Sequence, residues 1–453
     1  MSRSPGSVRL STMRDAVRTQ LWPVPIVGVA VAVVLGIGLP LLDENVDDVL
    51  PGWLTAYLFG GGAGAARDVL GAIAGSLITV TSLTFSLTVV TLQLASSQFS
   101  PRLLRTFSSD RFVQSTLALF LGTFTFALTV LRTVRTESEG GAAFVPEISV
   151  TTAFALTIAS VVGLVLFLAH LAREIRVETM LRNVHRDATA TVRRVLAERT
   201  TDVAALPQPP TEPGLLVHLN AASSGFLISV DERELLAAAT DADAVLLIAR
   251  APGSSLIEGT PMGVGWPRGP RQFDEHTQSR LQDAVARSIS TGVERTAAQD
   301  AEFGLRQLTD VTTKALSPGI NDPTTAIHAL GHSSALLCEM VGRDLGPRVL
   351  RDEDDVIRVV LRRPSFEELL DLAVEQPRRY GAADAQVLGR IGWLLRELGW
   401  RVDLDVDRHV VERQLARLRH TVAGQDFDAT ERATLTALTD DVDDAIAGRW
   451  SSQ

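Results

Sequence analysis

The side chains best placed to do chemistry in this chain are hydroxyls set into an apolar run. Residues 69–94, VLGAIAGSLITVTSLTFSLTVVTLQL, are long enough to cross a bilayer, since roughly 20 residues at about 1.5 Å each span the hydrocarbon. At about 100° per residue, Thr79, Ser82, Ser86 and Gln93 fall on one stripe of such a helix, and Thr81, Thr84, Thr88 and Thr91 on the opposite one. Hydroxyls in these positions can bond back to a carbonyl one turn earlier. They can also reach a neighbouring helix or line a path for a polar solute. A helix facing lipid all round gains nothing from either stripe, so the expectation is a helix with protein or water on both sides.

A second group lies far along the chain. In LSPGINDP, residues 316–323, Pro318-Gly319 suits the centre of a type II turn, with the glycine at positive φ. Asp322 is then placed to cap the next helix, and Pro323 to occupy its first position. Asp300, Arg306, Asp310, Asn321 and Asp322 make a polar cluster around this segment. It reads either as a ligand or intersubunit site, or as a buried network of caps and hydrogen bonds, and the local turn chemistry favours the network. His328 and His332 are four apart, but no acid accompanies them as in HExxH, and two ligands alone rarely hold zinc. No metal site is assigned. Ser-His-Asp order, a GxSxG elbow, a Walker loop and a GxGxxG turn are all absent, so no catalytic residue is assigned and no cofactor is expected.

The elements that must position these residues begin with four apolar runs, at residues 21–42, 69–94, 112–131 and 148–171. The N-terminal tail carries Arg3, Arg9, Arg14 and Arg18 against Asp15, and the loop after the first run carries Asp43, Glu44, Asp47 and Asp48 against Arg67. Arg102, Arg105 and Arg111 follow the second run, and Arg173, Arg176 and Arg182 the fourth. Positive loops stay on the cytoplasmic side, so both termini are expected in the cytoplasm. No ionisable residue sits deep in any run, which argues against a proton pump or voltage sensor. Arg102 and Arg105 would stand at the cytoplasmic rim, either as a basic ring in a symmetric assembly or as side chains snorkelling to headgroups; the second is favoured, because orientation alone demands them.

Beyond the membrane runs the pattern changes. Residues 172–204 read as an amphipathic connecting helix, with Met180, Val184 and Val195 among its packing positions, closed by the proline-rich ALPQPPTEPG. Residues 205–268 alternate short apolar runs with Gly, Pro, Ser and Asp, as a small β module does, with one helix near 232–239. Residues 269–453 read as helical, with helices expected near 273–290, 294–316, 322–341, 365–372, 383–398, 406–421 and 429–446. The 453-residue chain has a formal charge of −10, which argues against nucleic acid, and one cysteine, Cys338, which excludes an intramolecular disulfide.

Residues 75–107, GSLITVTSLTFSLTVVTLQLASSQFSPRLLRTF, with FGLRQLTDVTTKALSPGINDPTTAIHAL at 303–330, resemble the bacterial integral membrane proteins grouped as the DUF2254 family. SGFLISVD at 224–231 and PGSSLIEGTPM at 252–262 fit the same pattern. The resemblance covers nearly the whole chain, and SPGINDP is its most distinctive part. It implies N-terminal spans followed by a soluble domain, and no established activity. The expected fold is an α-helical membrane protein, with a tail (1–20), four transmembrane helices (21–171), and a cytosolic α+β domain made of a small β module and a helical bundle. Two functional readings are open. One is an oligomeric passive channel or transport protein of the bacterial inner membrane with a cytosolic regulatory domain; the other is a membrane-anchored scaffold or sensor for a cytosolic partner.

Overall fold

The computed structural model describes residues 22–46, 58–98, 110–135, 144–174, 176–199, 206–211, 215–270 and 272–450. Its chain divides into two compact units, residues 1–176 and 177–453. The expected rim residues Arg102 and Arg105 lie outside the described residues.

The first unit holds four helices long and apolar enough to cross a membrane: α1 (Pro23–Val46), α2 (Ala63–Gln98), α3 (Arg111–Leu131) and α4 (Glu147–Glu174). Helix α3 is the hub, packed against each of the other three. Its Phe120, Phe126, Ala127 and Val130 are fully buried. Close crossings depend on small residues: a Cβ on Gly36 would stand 2.8 Å from the Thr129 side chain, and one on Gly28 would stand 3.0 Å from Ala118. Without a hydrophobic drive between helices in lipid, such approach is how helices gain contact. Bonds between helix ends fix an alternating up-and-down order. Asp43, fully buried near the end of α1, accepts from the Ile148 and Ser149 backbone N–H groups (2.8 and 3.1 Å) and the Ser149 hydroxyl (2.6 Å), capping the start of α4. Asp110, the N-cap of α3, meets His170 near the end of α4 at 2.5 Å.

The second unit opens with α5 (Val177–Val195). Helix α4 ends at Glu174, and α5 groups with the later helices. Its buried face, including Met180, Val184, Ala188 and Val192, lies on α8 (Phe303–Ala315) and α9 (Pro323–Val341). A Cβ on Gly304 would stand 2.2 Å from the Ala188 Cβ, so a side chain there would push α5 away.

The strands are β1 (Val217–Asn220), β2 (Gly225–Val230), β3 (Ala244–Ile248), β4 (Ser255–Leu256), β5 (Pro261–Pro267), β6 (Ile289–Gly292), β7 (Arg348–Arg351) and β8 (Ile357–Leu361). They form two sheets, ordered β1-β5-β3-β8-β7 and β4-β2-β6, with β3 and β8 parallel and every other pair antiparallel. The sheets therefore recruit β6, β7 and β8 from the part of the sequence read as purely helical. Their inner faces and the helices α6 (Glu232–Asp241) and α7 (Glu275–Ser288) share one core around Leu227, Leu235, Leu246, Ile248, Leu281 and Val359. Gln282 stands in for a strand at the β1 edge, bonding both the N–H and the carbonyl of Asn220 (3.0 and 2.7 Å). The rest is helical: α8 and α9, then α10 (Phe366–Tyr380), α11 (Ala385–Arg401), α12 (Asp405–Ala423) and α13 (Ala429–Ile446).

Candidate functional site

Helix α2 has two unlike polar faces. Thr81, Thr84, Thr88 and Thr91 are buried in the four-helix unit, whereas Thr79, Ser82, Ser86 and Gln93 are exposed. The buried threonines mostly look after themselves: Thr81, Thr88 and Thr91 donate to the carbonyls of Leu77, Thr84 and Leu87 at 2.7, 2.8 and 2.9 Å. This inner stripe is a packed face with its hydroxyls returned to the helix backbone. Thr84 differs, because its hydroxyl is buried with no partner among the described residues. The outer stripe continues toward the start of the helix as Gly71 and Gly75, neither of which has a neighbour within 4 Å of a built Cβ. Small residues four apart on a lipid-length helix let a second backbone approach closely.

The polar cluster expected around SPGINDP separates into two places. Asp300 and Arg306 stand at the start of α8, while Asn321 and Asp322 lie beyond its far end, roughly 20 Å away at 1.5 Å per residue; Asp310 lies on the helix between them. Asp322 caps α9 through the Thr325 N–H (3.1 Å), and Pro323 opens that helix. The residue at positive φ is Asn321 (φ 50°) and not Gly319. The Ile320 and Asn321 N–H groups both turn back to the Ser317 carbonyl, so the reversal is finished one residue later than a type II turn would finish it. Asparagine tolerates that left-handed conformation better than most residues.

Asp300 is 2% exposed and accepts two bonds from Arg295, from Nε at 2.9 Å and Nη2 at 2.6 Å. Burial pushes its carboxyl from the ordinary 3.8 up to about 6, even against that guanidinium. The turn before β4 presses on the pair: Gly253 has φ +89°, and a Cβ there would stand 2.1 Å from Asp300 Oδ2. Next to it Gln299 bonds both the N–H and the carbonyl of Val230 (2.9 and 3.2 Å), tying this loop to β2. On α9, His332 stacks at 5.2 Å against His185 of α5. Burial and the neighbouring His185, His328 and Arg182 hold its imidazole below the usual histidine range.

Asp300 and Gln299 also wall a cavity of about 540 Å³ inside the second unit. Its other walls are the last turn of α5 with the residues after it, the loop after β3, and the link from β8 to α10. Six arginines line it, Arg193, Arg194, Arg250, Arg348, Arg362 and Arg363, against the acids Glu232 and Asp300. Sequence reasoning singles out none of the six, although the doublets at 193–194 and 362–363 are a visible signal.

The profile of a family described as "Predicted membrane protein (DUF2254)" matches residues 18–397. An uncharacterized protein of Mycobacterium bovis is 33% identical over 426 residues, covering 94% of this chain and 80% of the relative. Uncharacterized proteins from two strains of Mycobacterium tuberculosis match with the same identity and the same coverage. No solved structure matches.

Proposed function

The chain belongs to the DUF2254 family of predicted membrane proteins, and from that premise we propose that it acts as a homo-oligomeric passive conduit of the bacterial inner membrane. In this reading both termini face the cytoplasm and the second unit regulates the path. The observation that supports it is the outer stripe of α2: Thr79, Ser82, Ser86 and Gln93 are exposed on a helix of bilayer length. Thr79 returns its hydroxyl to the Gly75 carbonyl (3.1 Å); Ser82, Ser86 and Gln93 gain nothing turned to acyl chains, and are satisfied turned to a second copy or to water. Copies crossing at Gly71 and Gly75 diverge beyond that point, and Ser82, Ser86 and Gln93 then line the space that opens. The charged residues of the four helices stand near their ends, so a path of this kind carries no titrating group at depth and works passively. The inner threonine stripe serves packing and is no part of the path.

The test is solute efflux from proteoliposomes holding the full chain. Wild type should leak a small polar solute faster than empty vesicles, and S82L with S86L should remove most of that difference. In a C338S background, S82C should give covalent dimers on oxidation. Vesicles no leakier than empty ones end the conduit reading. The membrane-anchored sensor would then stand, supported by the arginine-lined cavity of the second unit.

A further inference from the structure

We propose that the arginine-lined cavity of the second unit binds an organic phosphate monoester. The inference goes beyond the conduit reading and does not depend on it. Pairing among the lining residues decides the matter. Glu232 is taken by Arg348 (3.3 Å), and Asp300 by Arg295 from outside the lining. Arg193 is paired with Glu339 and Arg362 with Glu368. Three guanidiniums remain with no carboxylate partner among the described residues: Arg194, Arg250 and Arg363.

Arg194 donates to the backbone carbonyls of Ala297 (2.8 Å) and Ala298 (3.4 Å). Arg363 donates to the Val195 carbonyl (2.9 Å), and its Nη1 is buried without a partner among the described residues. Arg250 is exposed and makes no bond within the described residues. Burial and the nearby Arg348 hold the Arg363 guanidinium below its ordinary range, with Asp344 and Glu232 acting the other way. A monocarboxylate would answer one guanidinium. A phosphate dianion offers three terminal oxygens to planar, multiply donating groups, the geometry that arginine fits best.

The cavity is larger than one phosphate requires, and Val195, Val230, Leu361 and Pro364 add apolar wall among the arginines. That wall suits an organic body attached to the phosphate. Because Arg194 belongs to α5, whose first residue follows the end of α4 by three positions, a bound phosphate would tie that helix to the sheets.

The probe is AMP, with adenosine, inorganic phosphate and phosphatidic acid in nanodiscs as comparisons, titrated calorimetrically against the full chain in detergent. AMP should bind and adenosine should not. Affinity should fall as salt rises, and R194Q and R250Q should each weaken AMP at least about tenfold, the discrimination one charged contact gives. Arg250 bonds no described residue, so R250Q should fold as wild type does, and its melting temperature checks this. AMP without phosphatidic acid assigns a soluble ligand; phosphatidic acid without AMP assigns a lipid headgroup of the same chemistry. Equal binding of AMP and adenosine, no binding by any probe, or wild-type affinity in both folded variants overturns the proposal. None of these outcomes depends on efflux.

Discussion

At the scale of single residues, Asp300 links stability to pH. Its carboxyl is raised from 3.8 to about 6 in the folded chain, so the folded state holds its proton more tightly than the unfolded state does. The stabilisation this gives is complete below the unfolded value and is lost as pH rises through about 6. A shift of this size corresponds to roughly 3 kcal/mol. Subtracting D300N from wild type isolates it. In denaturant unfolding, the wild-type advantage should shrink by up to that amount between about pH 4 and pH 7, and a difference independent of pH would contradict the burial argument. Sequence named Asp300 but could not tell its role, because that role comes from Arg295 and from Gly253 pressing on the pair. Asn321 shows the same limit: the turn was legible, while the residue carrying the positive φ was decided by where the Ser317 carbonyl is used.

At the scale of elements, the four apolar runs, the caps at Asp322 and Pro323 and most helices were readable, because hydrophobic period and turn chemistry are local. Two features were not. Residues 294–302 carry a helical pattern, yet α8 begins only at Phe303, since Gln299 is engaged by β2 and Asp300 by Arg295. The β7–β8 hairpin was hidden because Arg348, Arg351 and Arg358 break its apolar run, and Arg358 is held inside by Asp352 and Asp243, each at 2.6 Å. Helix α2 offers a sharper test. The Thr84 hydroxyl, buried with no partner among the described residues, carries a desolvation cost of about 1–3 kcal/mol. T84V keeps its shape and removes that cost. The variant should therefore melt in detergent no lower than wild type, and a clear loss of stability would mean the hydroxyl has a partner in the assembled protein.

At the scale of the whole molecule, each unit has its own buried core, one around Phe126 and Val130 and the other between the two sheets and their helices. Residues 177–453 are therefore expected to fold without the helices that precede them, giving a cooperative thermal transition by circular dichroism. A non-cooperative melt would show that the second unit borrows its stability from the first. Asp43 ties the first unit together differently, for it sits on α1 and its backbone partners sit on α4. Until α4 is in place that carboxylate lacks its donors, because all three come from Ile148 and Ser149. The bundle thus carries a latch that cannot engage until its fourth helix has joined the other three.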